Sequence, residues 1–254
     1  MSAILKNKVA VITGGGGDIG AAIARLFAEN GCKLVLFGRT PETIERVATD
    51  VSGLAVAGDV AVEADVAKLM ERCEREYGRL DVLVANAGIT GPVSSAEDMD
   101  MEAFDRTVAT NLRGVILCMK YAIPLLKRQG GSIINMSSIF GWRGKPLRAA
   151  YTATKHAVHA MTESAAHELG GSGVRVNAIC PGAVKTGLNM RLIAERCRVE
   201  GRSREELIRS DYEEVAALKK WVQPEDVAAA ALFLASDAAG AITGEFLKVD
   251  CGRF

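Results

Sequence analysis

Short runs of apolar residues recur along this chain, and most are followed by a stretch in which apolar residues return every three to four positions. The first pattern predicts buried parallel strands, and the second predicts amphipathic helices that cover them. The predicted strands are 9–13, 33–37, 54–57, 81–85, 132–136, 174–180 and 245–249. The predicted helices include 19–29, 63–77, 99–127 with an interruption near Pro124, a helix that carries Tyr151, and 224–235. Such regular alternation predicts an α/β fold, a doubly wound parallel sheet with helices on both faces.

Residues 187–222 interrupt this alternation. They carry two short amphipathic patterns, and the second opens with Ser203 and Glu206 at the spacing of a helix capping box. A long insertion after the carboxyl end of a strand is typical of a lid over a substrate site, although a passive surface excursion has the same pattern. No linker or repeat divides the chain. Residues 1–254 are therefore predicted to form one domain, with 187–222 as its lid.

Composition narrows the possible partners. Lys and Arg together number 31, as do Asp and Glu, so no basic excess attracts nucleic acid or an anionic membrane. A small molecule is the expected partner. The six cysteines are scattered, without CxxC pairs or histidines at ligand spacing, which predicts neither a metal site nor a disulfide framework. With no apparent secretion signal or membrane-spanning run, a cytoplasmic location is expected.

A glycine-rich loop joins the first predicted strand to the first helix. Residues 14–17 are all glycine, and Gly20 completes a GxGxxG spacing. Glycines allow backbone N–H groups to approach a phosphate at the positive end of a helix. In a run of four glycines the motif is weak, and a plain tight turn remains the alternative.

The end of the second strand bears on the choice of cofactor. In NAD-binding units this position usually carries an acid that holds the ribose hydroxyls, whereas an arginine suits the 2′-phosphate of NADP. Here Gly38 is followed by Arg39, and no acid is present. NADP is therefore expected over NAD, although an Arg39 that faces water would leave NAD usable.

Tyr151 and Lys155 are four residues apart in an Ala-rich run, so on a helix they share one face. A fixed ammonium about 4 Å away supplies roughly the free energy needed to lower the pKa of a phenol by about 3 units. Ser138, at the end of the predicted strand 132–136, can hydrogen-bond a substrate oxygen from the other side. The three suit proton transfer at a carbinol or carbonyl, although the pair alone also fits an ordinary solvated helix face.

Taken together, these motifs resemble the short-chain dehydrogenase/reductase family over nearly the whole chain. Thr13, Gly14 and Gly20 resemble its TGxxxGxG loop, and 86–88 resembles its Asn-Ala-Gly strand end. The resemblance implies a single-domain, Rossmann-like fold and a catalytic tetrad of Asn111, Ser138, Tyr151 and Lys155. With Arg39 added from the strand-end argument, the expected cofactor-binding residues are Gly14, Gly16, Gly17, Asp18, Ile19, Gly20, Arg39, Asp59, Val60, Asn86, Ala87, Gly88, Tyr151, Lys155, Pro181, Gly182, Val184 and Thr186.

The resemblance also implies a role for each member of the tetrad. Tyr151 passes a proton to or from the substrate oxygen, and Lys155 lowers the pKa of the tyrosine and holds the nicotinamide ribose. Ser138 orients the carbonyl or hydroxyl, and Asn111 fixes a water in a proton relay. Hydride moves to or from C4 of the nicotinamide, which supplies the difficult chemistry.

One residue departs from the family pattern. Asp18 stands where TGxxxGxG has its middle glycine. Asp18 is expected to cap a helix that starts at Ile19, since Asp is a favoured N-cap residue. The alternative is some loss of cofactor affinity, because a carboxylate that faces the phosphates is unfavourable.

The expected function is that of an NAD(P)-dependent oxidoreductase that interconverts a secondary alcohol and a ketone or related carbonyl. A catalytically silent dinucleotide-binding sensor or scaffold is one alternative, but such a protein has no physical need to keep the tetrad. A dehydratase or epimerase acting on a nucleotide sugar resembles a longer branch of the family and would need extra C-terminal length.

Basic residues border the expected substrate site. Arg143, Lys145 and Arg148 lie between Ser138 and Tyr151, and Lys185 and Arg191 flank Thr186. Arginine suits a carboxylate, sulfonate or phosphate, although loop charges are solvated by default. A small anionic hydroxy compound is therefore one expected substrate, with sugars and polyols as the other class. The expected substrate-binding residues are Ser138, Arg143, Lys145, Tyr151 and Arg191.

Small residues on the Tyr151 helix bear on assembly. Ala149, Ala153 and Ala157 line one side and permit close helix packing. Because members of the resembling family pair this helix between subunits, a homodimer or homotetramer is expected by analogy.

Overall fold

Seven strands run through residues 3–253, the part of the chain that the computed structural model describes. They are β1 (Val9–Thr13), β2 (Lys33–Gly38), β3 (Leu54–Ala57), β4 (Val82–Ala85), β5 (Gly131–Met136), β6 (Val174–Pro181) and β7 (Phe246–Val249). They form one sheet in the order β3-β2-β1-β4-β5-β6-β7, and every neighbouring pair is parallel. The order reverses between β1 and β4, which confirms the predicted doubly wound, Rossmann-like sheet.

Helices cover both faces of this sheet. They are α1 (Asp18–Glu29), α2 (Pro41–Asp50), α3 (Glu63–Tyr77), α4 (Met101–Val108), α5 (Gly114–Leu126), α6 (Ala149–Leu169), α7 (Gly187–Glu200), α8 (Arg204–Ile208) and α9 (Pro224–Ala235). Successive residues of a strand point to opposite faces, so β1 contributes Ala10 and Ile12 to a core with α1, α2 and α9. Val9 and Val11 enter the second core, with α3, α5 and α6. Burial on both faces explains why the strands read as continuous apolar runs.

The predicted helix 99–127 is divided at a different place from the one expected. A π-helical turn, Ala109–Arg113, separates α4 from α5, whereas Pro124 lies inside α5. Because Pro124 falls in the last turn, it removes a single backbone donor and the helix ends two residues later. The interruption instead surrounds Asn111, whose side chain is drawn into backbone hydrogen bonds with Ile89.

Residues 187–222 form a compact excursion that is closed at its base. Lys185 donates its backbone N–H to Val222 at 2.9 Å, and Val222 donates to Ala183 at 3.1 Å. The segment contains α7, α8 and a π-helical turn, Arg209–Glu213, and Ser203 caps α8 by accepting the N–H of Glu206. Its Ile193, Leu207, Tyr212 and Trp221 form a small separate core together with Ala183, which precedes the segment.

Within the described residues, none of the helices is long and apolar enough to cross a membrane.

Gly20 fixes how α1 packs on the glycine loop. A Cβ on Gly20 would overlap the carbonyl oxygen of Gly14 and lie 2.9 Å from the Cα of Gly15. We expect Gly20→Ala to lower the free energy of unfolding by about 1–3 kcal/mol, the usual cost of overpacking. Gly17→Ala is the matched control, because a Cβ there meets only the Gly14 carbonyl oxygen at 3.5 Å. Urea denaturation of both variants measures the difference, and equal loss in both would contradict this account of the packing.

Candidate active site

The glycine loop is tied to the carboxyl end of β4 where the strand order reverses. The Thr13 hydroxyl accepts the backbone N–H groups of Asn86 at 3.0 Å and Ala87 at 3.1 Å. In return, the Asn86 side-chain amide donates to the Thr13 carbonyl at 2.9 Å. Gly14 follows with φ +64°, a conformation that favours glycine, and a Cβ there would lie 2.9 Å from the Asn86 amide nitrogen. This crossover leaves a crevice at the carboxyl ends of the strands, where ligands of such sheets bind.

A cleft of about 660 Å³ occupies that crevice. The glycine loop and Arg39 form one part of its wall, and Ser138, Tyr151 and Lys155 form another. The predicted residues that line it are Gly14, Gly16, Gly17, Asp18, Ile19, Gly20, Arg39, Asn86, Ala87, Gly88, Ser138, Lys145, Tyr151, Lys155, Pro181, Gly182, Val184, Thr186 and Arg191. The space in front of Gly17 is open, because a Cβ there would meet only one neighbouring atom, at 3.5 Å. This space fits a dinucleotide phosphate that approaches the backbone of the glycine loop.

Four predicted residues lie outside this lining. Asn111 is fully buried behind it, and Val60 is buried with its side chain against Gly114. Asp59 accepts the Ala61 N–H at 2.9 Å and lies 3.8 Å from Arg39, which does line the cleft. Arg143 is exposed to solvent beyond the short 3₁₀ turn Ile139–Gly141, so the structure does not bring it to the substrate site.

Asn111 is engaged through its side chain. Its amide oxygen accepts the Ile89 N–H at 2.8 Å, and its amide nitrogen donates to the Ile89 carbonyl at 2.8 Å and to Thr154 at 3.4 Å. π-Helical turns of this kind are frequent at functional sites. Here the turn holds the 88–89 segment beside the Lys155 side chain, since a Cβ on Gly88 would lie 3.8 Å from Lys155 Nζ.

The Lys155 side chain is buried beneath the cleft. Its ammonium donates to the Met136 carbonyl at 2.7 Å and lies 5.6 Å from the centre of the Tyr151 ring. Burial disfavours its charged form and lowers the pKa of Lys155 to about 8.

Burial also dominates the electrostatics of Tyr151. It raises the pKa of the phenol, and the Ser138 hydroxyl and the Arg148 guanidinium oppose that rise. Lys155 was expected to lower this pKa, but it is not among the groups that do so in this structure. The reason is that Lys155 loses its proton near pH 8, before the phenol titrates, so no ammonium charge remains to stabilise the phenolate.

Asp18 does not cap its own helix, so that prediction was wrong. Gly17 takes the N-cap position, and α1 begins at Asp18. The Asp18 carboxylate instead accepts the backbone N–H of Gly187 at 2.7 Å, at the first residue of α7. A carboxylate between two helix N-termini is stabilised by both dipoles. Asp18 therefore links the glycine loop to the segment 187–222.

Arg191 lies close to this contact. A Cβ built on Gly187 would lie 3.7 Å from Asp18 Oδ2 and 3.8 Å from Arg191 Nη1. Arg191, predicted from sequence to bind substrate, is therefore placed beside the glycine loop. Its charge lies where it can offset that of Asp18.

Several lining residues were not predicted as site residues. Arg196 and Tyr212 reach the cleft from the segment 187–222, and Arg253 reaches it from the residues that follow β7. Arg253 is brought there because its backbone bridges that of Ala216, a pairing without a local sequence signal. Arg148 was predicted only as one of several basic residues that border the substrate site. Its position three residues before Tyr151 was a sequence signal that the two side chains lie close together.

Comparisons with known proteins agree with this geometry. The family model described as enoyl-(acyl carrier protein) reductase matches residues 16–253. The chain is 38% identical to D-beta-hydroxybutyrate dehydrogenase of Rhizobium meliloti, over 97% of this chain and 98% of that protein. It is also 38% identical to cis-4-hydroxycyclohexanecarboxylate dehydrogenase of Sinomonas cyclohexanicum, over 99% of this chain and 98% of that protein. The crystal structure of levodione reductase superposes with a TM-score of 0.92 and 31% identity, over 98% of each chain.

The sheet order and the position of the cleft define an α/β protein of the nucleotide-binding class. The chain belongs to the short-chain dehydrogenase/reductase family, as its whole-length similarity to these relatives shows.

The low pKa of Lys155 predicts a pH-dependent stability. In the folded state Lys155 is neutral above about pH 8, whereas in the unfolded state it stays charged up to about pH 10.5. Below pH 8 the folded protein must hold the buried charge, which lowers its stability. This cost falls as the pH rises from 8 to 10.5. Replacing Lys155 by Met removes the cost, which a shift of this size sets at about 3 kcal/mol. We expect the stability of Lys155→Met relative to wild type to be greatest at pH 7 and to decline by pH 10.5. Chemical denaturation at both values measures it, and a pH-independent difference would contradict the assignment.

Proposed function

We propose that this protein transfers hydride between NAD(P) and a secondary alcohol or ketone, with Tyr151 as the acid and base. The carrying observation is that Tyr151, Ser138 and Lys155 line the same cleft as the glycine loop. The dehydrogenase relatives support this reading over a catalytically silent sensor or scaffold. Nicotinamide, when bound, supplies the hydride acceptor or donor.

Tyr151 is positioned to exchange a proton with the substrate oxygen. In reduction its phenol donates the proton to the developing alkoxide, and in oxidation the phenolate accepts it. The raised pKa of Tyr151 keeps the phenol protonated at neutral pH, the form that reduction requires. The Ser138 hydroxyl and the Arg148 guanidinium lower that pKa, and both favour the phenolate that oxidation requires.

Lys155 and Asn111 have supporting roles in this proposal. The Lys155 ammonium lies on the cleft wall near Gly88, where a nicotinamide ribose can receive its hydrogen bond. Both hydrogens of the Asn111 amide are directed at Ile89 and Thr154. We infer that Asn111 acts mainly as a positioning residue, and that a relay water held by it would bind through its backbone.

Replacing Tyr151 by Phe tests the proposal. The variant keeps the ring but removes the proton carrier, so kcat for a secondary alcohol should fall by at least a hundredfold, the lower range for general acid–base catalysis. Fluorescence titration with NADPH and NADH should show cofactor affinity within about twofold of wild type. Tyr121→Phe is the control, because Tyr121 bonds Glu63 at the surface. Retention of most activity in Tyr151→Phe would refute the assignment.

For the cofactor we infer a preference for NADP over NAD. Arg39 follows the carboxyl end of β2, lines the cleft and is 62% exposed, so its guanidinium is free to meet a 2′-phosphate. Gly38 contributes no acid that would hold the ribose hydroxyls of NAD. The Asp59 carboxylate, 3.8 Å from Arg39, partly offsets the positive charge.

The ratio of kcat/KM for NADP over that for NAD should fall at least tenfold in Arg39→Ala, since a charged hydrogen bond to the phosphate is lost. Arg46→Ala, on the exposed side of α2 and outside the cleft lining, should leave the ratio unchanged. An unchanged ratio in Arg39→Ala would remove this residue from cofactor selection.

We propose further that 187–222 acts as a substrate lid. Gly187 meets Asp18 of the glycine loop, and Arg191, Arg196 and Tyr212 of the segment line the cleft, which supports a covering role.

We also propose that α6 mediates self-association. Ala149 and Ala153 are exposed on α6, which leaves that side open to close packing in a homodimer or homotetramer.

The relatives also bear on the substrate class. Two relatives are named for hydroxylated carboxylates, which supports an anionic hydroxy compound over a sugar or polyol. The residues that would bind such a group are considered next.

A further inference from the structure

Arg148 is the most unusual charged residue in the cleft. It immediately precedes α6, lines the cleft and is only 6% exposed. Its guanidinium carbon lies 4.9 Å from the centre of the Tyr151 ring, so the cation stacks against the proposed acid and base. One Nη2–H donates to the Thr90 carbonyl at 2.5 Å, whereas the buried Nε has no hydrogen-bond partner within residues 3–253.

The nearby acids do not neutralise this charge. The Tyr151 and Tyr212 phenols act on the pKa of Arg148 more strongly than the Glu195 carboxylate does. Glu195 accepts the Val93 N–H at 3.3 Å, and no described carboxylate lies within 4.0 Å of the Arg148 guanidinium. Asp211 and Glu200 are occupied by Arg196, at 2.6 and 2.5 Å. A buried cation without a partner is unfavourable unless a ligand supplies the counter-charge.

The other cations of the region are engaged differently. Arg196 is paired with both acids, and Lys145 lies 3.7 Å from Asp211. Arg253 stacks over the Tyr212 ring with its guanidinium carbon 5.4 Å from the centre. Arg148 therefore combines burial, no carboxylate within 4.0 Å among the described residues and contact with Tyr151, a combination that these residues do not share.

We propose that Arg148 binds an anionic group of the substrate, so that the enzyme acts on short hydroxy acids or their keto forms, the anion being a carboxylate or a sulfonate. This inference rests on the proposed function and adds the substrate class to it. Nη1 makes no hydrogen bond within the described residues and Nη2 uses one hydrogen for Thr90, so the planar guanidinium can present the remaining Nη hydrogens as a fork that matches two oxygens of such a group. Because the guanidinium stacks on the phenol ring, the anion and the reacting hydroxyl are separated by only a few bonds.

The purely structural alternative is that Arg148 only holds the loop at Thr90. That contact uses a single N–H of the five that arginine carries. A structural role predicts equal losses for charged and neutral ligands when Arg148 is replaced. An anion-binding role predicts a loss confined to charged ligands.

The first experiment measures binding without turnover. Butyrate and its neutral counterpart butyramide are titrated calorimetrically into the enzyme saturated with NADP or NAD. In Arg148→Met, and in Arg148→Gln, which keeps an amide donor for Thr90, butyrate affinity should fall at least tenfold while butyramide affinity stays within twofold. Arg143→Met, the exposed arginine of the same segment, should match wild type. Equal effects on both ligands would overturn the proposal.

The second experiment compares turnover of 3-hydroxybutyrate with that of 3-hydroxybutyramide. The ratio of their kcat/KM values should fall at least tenfold in both Arg148 variants. A change in the pKa of Tyr151 affects both substrates and cancels in this ratio. A wild type that favours the amide, or an unchanged ratio, would overturn the inference and leave the oxidoreductase proposal intact. Arg148-dependent butyrate binding in an enzyme that oxidises no alcohol would support the anion site and refute the proposed reaction.

Discussion

The reversal of strand order between β1 and β4 is the constraint on which the rest of this structure depends. Thr13 joins the ends of these two strands by three hydrogen bonds with Asn86 and Ala87, and the glycine loop leaves the sheet at the same place. Because every strand is parallel, the chain segments that carry functional side chains all follow carboxyl ends on one edge. The cleft is therefore a consequence of topology, and side chains only set its chemistry.

Burial controls that chemistry. The same low-dielectric surroundings raise the pKa of the Tyr151 phenol, lower that of Lys155 to about 8 and lower that of the Arg148 guanidinium. Each shift favours the neutral form. A bound anion beside Arg148 would supply the counter-charge that the described protein groups leave out, so anion binding is linked to proton binding at this site.

Contacts across the cleft connect the segment 187–222 to the glycine loop. Asp18 accepts the N–H of Gly187, and Arg191 lies near both. The family position of Asp18 holds glycine, so this contact is a property of the present chain. It spans 169 residues of sequence and makes the start of α7 depend on the conformation of the glycine loop.

Much of the fold was readable from the sequence. The strands were predicted to within one residue at each end because fully buried parallel strands give continuous apolar runs, and α3 and α9 were predicted with their observed limits. The glycine loop and the spacing of Tyr151 and Lys155 were equally local, since both depend on residues that are neighbours in one element. Nineteen of the site residues predicted from such local motifs line the cleft.

Only the tertiary structure decided which charged side chains are buried at the cleft and which face the solvent. Arg143 and Arg148 occupy the same segment, yet the first is exposed and the second is buried against Tyr151. The partner of Asp18, the direction of the pKa shift of Tyr151 and the entry of Arg253 into the cleft were likewise hidden. Burial and electrostatic fields arise from side chains that are distant in sequence, so local patterns determined the elements and the identity of the reactive groups but not their protonation or partners.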